Sequence, residues 1–284
     1  MPDSLTILQA VILGVVEGVT EYLPISSTGH LLVTERILGI ATNTKETKDA
    51  ADAFAISIQG GAILAVIGLY WQSLKRMLMG VIGKDPDGLK LAFALVIAFL
   101  PAAVIGLAAG HWIKDHLFGM WPVVAAWIIG GIALLVFARK PVAGTGEDDA
   151  KLPIPTLNQA FMIGLLQCVA MWPGTSRSLM VIVGGLLVGL GLRRAVEFSF
   201  LLGVLTLGTA TAKDTLEFGP LMLHHYGMAS IAAGFIAATV SAFLAVRWLV
   251  SYLSRHGLKN FGYYRIAIGL VIGGLILAGH LPAN

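Results

Sequence analysis

The sequence predicts an all-α polytopic membrane protein, built as an inverted-topology repeat with six full spans and two re-entrant helix–loop–helix hairpins. Three observations predict it: a composition short of charge, a recurrence of long apolar runs, and two apolar regions broken near their middles by Pro, Gly and hydroxyl residues. Of the 284 residues, 57% are apolar and 12% charged, and the mean hydropathy is +0.83. Soluble domains carry about 25% charged residues, so this chain lacks the polar surface to cover a water-soluble globule.

The spans come first. A run of about 18 apolar residues crosses a hydrocarbon core of ~30 Å, and six segments qualify: 52–71, 91–110, 121–138, 197–213, 228–250 and 261–280. Short polar stretches separate them, among them Lys84-Asp85-Pro86-Asp87-Gly88 and Gly144-Thr145-Gly146-Glu147-Asp148-Asp149. The start, Met1-Pro2-Asp3-Ser4, has no basic region and no small-residue cleavage site follows, so no removable signal peptide is expected. The formal charge of +3 gives no reason to expect a nucleic-acid partner. Cys168 is the single cysteine, which excludes an internal disulfide and a cysteine metal cluster; it reads as a small residue packed in a helix.

The hairpins are regions 6–40 and 157–192. The first breaks at Leu23-Pro24-Ile25-Ser26-Ser27-Thr28-Gly29-His30 and the second at Trp172-Pro173-Gly174-Thr175-Ser176-Arg177-Ser178. A broken helix leaves backbone groups unpaired, which a membrane tolerates only inside protein or beside a wet cavity. The two regions also align with each other: Gln9-Ala10-Val11-Ile12-Leu13-Gly14-Val15-Val16-Glu17 lies over Gln159-Ala160-Phe161-Met162-Ile163-Gly164-Leu165-Leu166-Gln167 at a constant offset. A hairpin followed by three spans then repeats, dividing the chain into 1–150 and 151–284. Three is odd, so the second half sits inverted, and the two broken helices are expected to meet near the midplane as in transporter folds.

Basic residues orient the chain. One face carries twelve (Lys75, Arg76, Lys84, Lys90, Arg139, Lys140, Lys151, Arg193, Arg194, Arg247, Arg255 and Lys259) and the other five (Arg36, Lys45, Lys48, Lys114 and Lys213). The positive-inside rule makes the first face cytoplasmic. Both termini then lie outside and the first hairpin opens outward. Trp71, Trp112, Trp121 and Trp248 suit an aromatic belt, and His111, His116, His224, His225 and His280 fall near span ends without an assigned role.

The chemistry sits in the two breaks. Glu17 and Glu21 are four residues apart and share a helix face. Two carboxylates in an apolar helix repel unless something positive lies between them. A divalent cation, Mg²⁺ or Ca²⁺, suits such hard oxygen ligands; the alternatives are a shared proton with one pKa raised, or two solvated interfacial glutamates. Ser26, Ser27, Thr28, Gly29 and His30 follow at once, offering hydroxyl nucleophiles, backbone donors and an imidazole. A hydroxyl beside a base or direct attack by the imidazole are both routes to a covalent intermediate. Arg177, between Ser176 and Ser178 and after Gly174-Thr175, calls for an anion at membrane depth. Its planar fork suits phosphate oxygens, and loop amides at a helix N-terminus would add donors. The bland reading is a salt bridge to Glu17 or Glu21.

The run Glu17-Gly18-Val19-Thr20-Glu21-Tyr22-Leu23-Pro24-Ile25-Ser26-Ser27-Thr28-Gly29-His30 resembles the first signature of the bacterial undecaprenyl-diphosphate phosphatases, the bacitracin-resistance proteins. Pro173-Gly174-Thr175-Ser176-Arg177-Ser178 resembles their second, and Ile58-Gln59-Gly60-Gly61-Ala62-Ile63-Leu64 and Glu197-Phe198-Ser199-Phe200-Leu201-Leu202 extend the likeness over nearly the whole chain. The resemblance implies a metal-dependent hydrolase of the bacterial cytoplasmic (inner) membrane, its site facing the periplasm. Its substrate would be a polyprenyl diphosphate within membrane lipid, recycled to the monophosphate carrier for cell-wall synthesis, with bacitracin resistance as a consequence. By resemblance, Glu17 and Glu21 serve metal or proton transfer, Ser27 and His30 the nucleophilic or acid–base step, and Arg177 the diphosphate. Ser26, Thr28, Gly174, Thr175, Ser176 and Ser178 would line the substrate.

The sequence departs from the pattern after Ser178. Leu179, Met180 and Val181 stand where the family runs Gly, any residue, Thr, which puts the second loop's grip on the diphosphate in doubt. The contending reading is a lipid or small-molecule transporter or flippase on the same architecture. Phosphate release in detergent, where no gradient exists, separates the two. A homodimer is left open.

Overall fold

In a computed structural model of the chain, residues 5–40, 44–137 and 153–282 are described, and every helix or strand among them is a helix. The expected Gly144–Asp149 loop, the junction at 150/151, and Met1, Arg139, Lys140 and Lys151 lie outside the described residues. The order is α1 (Ile7–Thr20), α2 (Ser27–Ile37), α3 (Lys45–Leu69), α4 (Trp71–Val81), α5 (Pro86–Leu117), α6 (Met120–Phe137), α7 (Leu157–Cys168), a 3₁₀ turn (Val169–Met171), α8 (Arg177–Leu187), α9 (Leu192–His256) and α10 (Lys259–Leu277). Five of these, α3, α5, α6, α9 and α10, contain stretches long and apolar enough to cross a membrane. The protein is a multi-pass, all-helical membrane protein.

Two expected spans, 197–213 and 228–250, fall in the single element α9. The segment between them stays helical as far as Tyr226, so no loop separates them, and the chain turns at Gly227 (φ 69°, ψ 153°). On a straight helix Thr211 and Phe235 would stand ~36 Å apart at 1.5 Å per residue. Both instead pack beside Gly60 of α3, so the limbs of α9 double back along one another. Only a residue without Cβ adopts this φ without cost. Helix α4 was not expected from the hydropathy.

Each hairpin begins with the same device. Thr6 caps α1 and Thr156 caps α7, and each forms a reciprocal box with Gln9 or Gln159. Gln9 Nε2 then donates to Leu38 O at 3.2 Å, and Gln159 Nε2 to Val188 O at 2.9 Å. One glutamine thereby closes each hairpin at its far end. Where α1 meets the second limb of α9, Gly14 and Gly18 lie against Gly234, Ala238 and Ala242, so the backbones approach with little side chain between them.

The largest buried cluster joins both breaks: Tyr22, Leu23 and Ile25 of the first pack with Leu179, Val181 and Ile182 of α8 and Phe198, Phe200 and Leu202 of α9. Trp71, Trp112, Trp121 and Trp248 are exposed, whereas Trp127 is fully buried.

Candidate active site

The two breaks stop helices in matching ways. After Thr20 the chain passes through turns to Ser26, and after the 3₁₀ turn it passes Pro173-Gly174 to Ser176. Ser26 (φ 74°) and Ser176 (φ 73°) are the only non-glycine residues with positive φ among those described. Such backbone costs about 1–3 kcal/mol per residue and persists where surrounding structure enforces it, often at functional sites. At Gly174 (φ 97°) an added Cβ would also collide with Val123 O and Ala126. Immediately beyond the strained serines, Ser27 opens α2 and Arg177 opens α8. Two helix N-termini, with their positive dipole ends, are thereby brought to one place; at α8, Ser176 Oγ accepts from Leu179 N at 3.3 Å.

Between them lies a cavity of about 400 Å³. Glu21, Ser26, Ser27, Thr28, Gly174, Ser176 and Arg177 line its polar wall together with Gln59 and Gln167. Ala102, Phe118, Met171, Leu207 and Ala210 supply apolar surface.

Glu21 is the hub. Its Oε1 accepts from Arg177 Nη2 at 2.8 Å, and its Oε2 accepts from Ser27 Oγ in a short hydrogen bond. Arg177 Nη1 donates to Ser199 O at 2.9 Å, and its guanidinium stacks 5.7 Å from the Tyr22 ring centroid. Arg177 Nε is buried and has no hydrogen-bond partner among the described residues. Gly203 leaves room for the guanidinium, since any Cβ there would overlap it.

Glu17 lies one helical turn behind Glu21, fully buried, and among the described residues neither carboxylate oxygen accepts from an N–H or O–H donor. With both carboxylates ionised the cluster holds one negative charge more than Arg177 neutralises. A buried carboxylate without a donor calls for a cation or a proton: a divalent ion held by Glu17 and Glu21 would supply the first, and a proton shared between them the second. Among the described residues no group of three or more His, Cys, Asp or Glu side chains could enclose a metal alone; further ligands would come from substrate and water.

The remaining candidates brace the loops. Ser178 Oγ donates to Leu23 O at 3.1 Å and lies 3.0 Å from Ser176 Oγ, tying the second break to the first. Thr175 Oγ bonds Trp172 O at 2.6 Å within its own loop. His30 does not line the cavity: Nδ1 lies 2.7 Å from Ser26 O, Nε2 lies 2.8 Å from Tyr264 Oη, and the ring stacks on Tyr264 and packs edge-on to Trp127. Thus Glu21, Ser27 and Arg177 come together at the cavity, while His30 stands on the side of α2 that faces α10.

Leu179 and Val181 are core residues, 1% and 0% exposed, and neither lines the cavity. The departure from the family pattern therefore alters packing behind α8 and not the cavity wall. Sequence reasoning missed Gln167 and Arg265. Gln167 stands opposite Glu17 in the aligned halves and lines the cavity, and its buried amide has no partner among the described residues. Arg265 is wholly buried in α10, and an arginine inside an apolar span was itself the signal.

The sequence profile described as "Bacitracin resistance protein BacA" matches residues 10–271. An "Undecaprenyl-diphosphatase" of Cereibacter sphaeroides is 43% identical over 281 residues, covering 99% of this chain and 100% of that one. Similar proteins of the same name occur in Methylococcus capsulatus, at 44% identity over 93% of each chain, and in Sorangium cellulosum, at 42% over 93% of this chain and 84% of that one.

Proposed function

Since the chain belongs to the bacitracin resistance protein BacA family, we propose that it hydrolyses undecaprenyl diphosphate to undecaprenyl phosphate and inorganic phosphate, recycling the lipid carrier and conferring bacitracin resistance. The observation that carries this reading is Glu21, bonded through one oxygen to Ser27 Oγ and through the other to Arg177. A hydroxyl held by a carboxylate base, beside an arginine fork and two helix N-termini, is a phosphoryl-transfer arrangement.

Ser27 Oγ attacks the terminal phosphorus as Glu21 takes its proton. The Oγ–P bond forms, the P–O bond to the bridging oxygen breaks, and undecaprenyl phosphate leaves. Water then cleaves the phosphoserine, releasing inorganic phosphate and restoring the hydroxyl. The Arg177 guanidinium, which lines the cavity, and the free first-turn amides of α2 and α8 receive the phosphoryl oxygens. Glu17 and Glu21 would hold Mg²⁺ or Ca²⁺, which offsets the diphosphate charge. His30, turned toward Tyr264, orients the Ser26 carbonyl and hence the strained loop.

The same reading includes six crossings, counting the limbs of α9 separately, and an inverted repeat. The matched Thr–Gln boxes and the paired strained serines support the repeat. The excess of basic residues on one face supports a site opening to the periplasm of the cytoplasmic membrane, with both termini outside.

The test is phosphate release from undecaprenyl diphosphate by purified protein in detergent. Wild type should turn over, and Ser27→Ala should lose about 10³-fold or more, as when a catalytic unit loses a member. Undiminished release by Ser27→Ala would remove the serine from the reaction, and a wild type that binds the lipid without releasing phosphate would favour transport.

A further inference from the structure

Arg265 is one of the two largest side chains with essentially no exposed surface. Among the described residues no carboxylate pairs with it. Its bonds run to main-chain carbonyls: Nη1 to Pro24 O at 3.4 Å, and Nη2 to Ala126 O at 3.0 Å and to Gly174 O at 2.8 Å. A buried arginine without a counter-anion is an expensive way to hold a helix in place, so its partners are informative. Pro24 and Gly174 belong to the two breaks, where carbonyls have lost their helical donors. They also occupy the same position in each, three residues before Ser27 in one and three before Arg177 in the other.

A guanidinium is flat and rigid, and its two Nη atoms stand at a fixed separation. Holding one loop on each Nη fixes how far apart those loops lie. Ala126 O, from α6, holds the group in place with the third bond. Gly130 of the same helix leaves the slot, because a Cβ there would collide with the guanidinium. Arg265 does not line the cavity.

We propose that Arg265 is a positioning residue, which sets the spacing between Ser27 and Arg177 by holding the Pro24 and Gly174 carbonyls on one guanidinium. The proposal rests on the hydrolase reading. Lysine at this position keeps the charge but cannot span both carbonyls. Substrate oxygens would still meet Arg177, so binding should survive while the line of attack is lost; a displacement of 1 Å can cost ~10²-fold in rate.

The experiment measures kcat and KM for phosphate release from undecaprenyl diphosphate by wild type, Arg265→Lys and Gly130→Ala, each checked for a single monodisperse species in detergent. The expected result is a kcat lower by about 10- to 100-fold with KM within about threefold of wild type for both variants. Gly130→Ala is the second arm because it displaces the guanidinium without removing it. Wild-type kcat in either folded variant overturns the proposal. So does a raised KM at unchanged kcat, which would make Arg265 part of substrate binding, and so does failure of both to fold, which would make it a structural bolt alone. If wild type itself releases no phosphate, the hydrolase reading fails first and takes this proposal with it.

Discussion

Arg177 Nη2 lies 2.8 Å from Glu21 Oε1 across 156 residues of sequence, with 13% and 6% of the two side chains exposed. The ion pair joins the first break to the second at the cavity wall. The same guanidinium reaches Ser199 O at 2.9 Å, so it spans two partners in fixed directions.

That geometry separates arginine from lysine. An ammonium can replace the charge but not the fork. Arg177→Lys is therefore expected to lose nearly as much phosphate release as Arg177→Ala, on the order of 10²-fold or more. A lysine variant turning over close to wild type would reduce Arg177 to a point charge. Removing one partner of a buried pair costs about 3–5 kcal/mol, so Arg177→Ala should also melt at lower temperature than Arg177→Lys.

Glu17 yields the metal prediction. Its carboxylate oxygens are buried with no N–H or O–H donor among the described residues, and a divalent cation shared with Glu21 would satisfy them. Excess EDTA is expected to abolish phosphate release, and Mg²⁺ or Ca²⁺ to restore it. Glu17→Gln keeps the shape while removing a charge, so it should need far more cation for half-maximal activity. Full activity in EDTA would leave the two glutamates sharing a proton instead.

Gly203 gives a variant that touches no reacting group. The added methyl in Gly203→Ala would occupy the place of the Arg177 guanidinium. Moving the guanidinium aside loosens its bonds to Glu21 and Ser199, so Tm should fall, though by less than in Arg177→Ala. Misplacing Arg177 should lower phosphate release by ~10²-fold. Wild-type turnover would mean that the guanidinium tolerates displacement.

Hydropathy located the long helices, because lipid imposes length and composition directly. It separated 197–213 from 228–250 but missed that residues 214–226 between them stay helical, because the turn rests on one glycine torsion at Gly227. Charge against an apolar background made Glu17, Glu21 and Arg177 legible. Arg265 carried the same signal within 261–280, where it passed as part of a span. Ser199 left no signal, because it meets Arg177 through a backbone carbonyl that any residue supplies. His30 shows the limit of proximity in sequence: on a helix beginning at Ser27, it projects to a different neighbour from Ser27, and only tertiary packing against Tyr264 reveals which.

Val181 tests the departure from the family pattern. A missing hydroxyl three residues beyond Ser178 suggests a weakened phosphate grip. The structure puts Val181 at 0% exposure among the apolar residues joining α8 to the first break, away from the cavity wall. Valine and threonine have nearly the same shape, so Val181→Thr exchanges a packed methyl for a hydroxyl that must find a partner in an apolar setting. The nearest remedy is a bond back to the carbonyl one helical turn earlier, which leaves the cavity untouched. The expected outcome is unchanged KM and kcat, with Tm equal to or below that of wild type and a cost of about 1–3 kcal/mol if the hydroxyl stays unpaired. A several-fold fall in KM would show that position 181 reaches the diphosphate after all, and that α8 contributes a longer stretch to the site than its first turn.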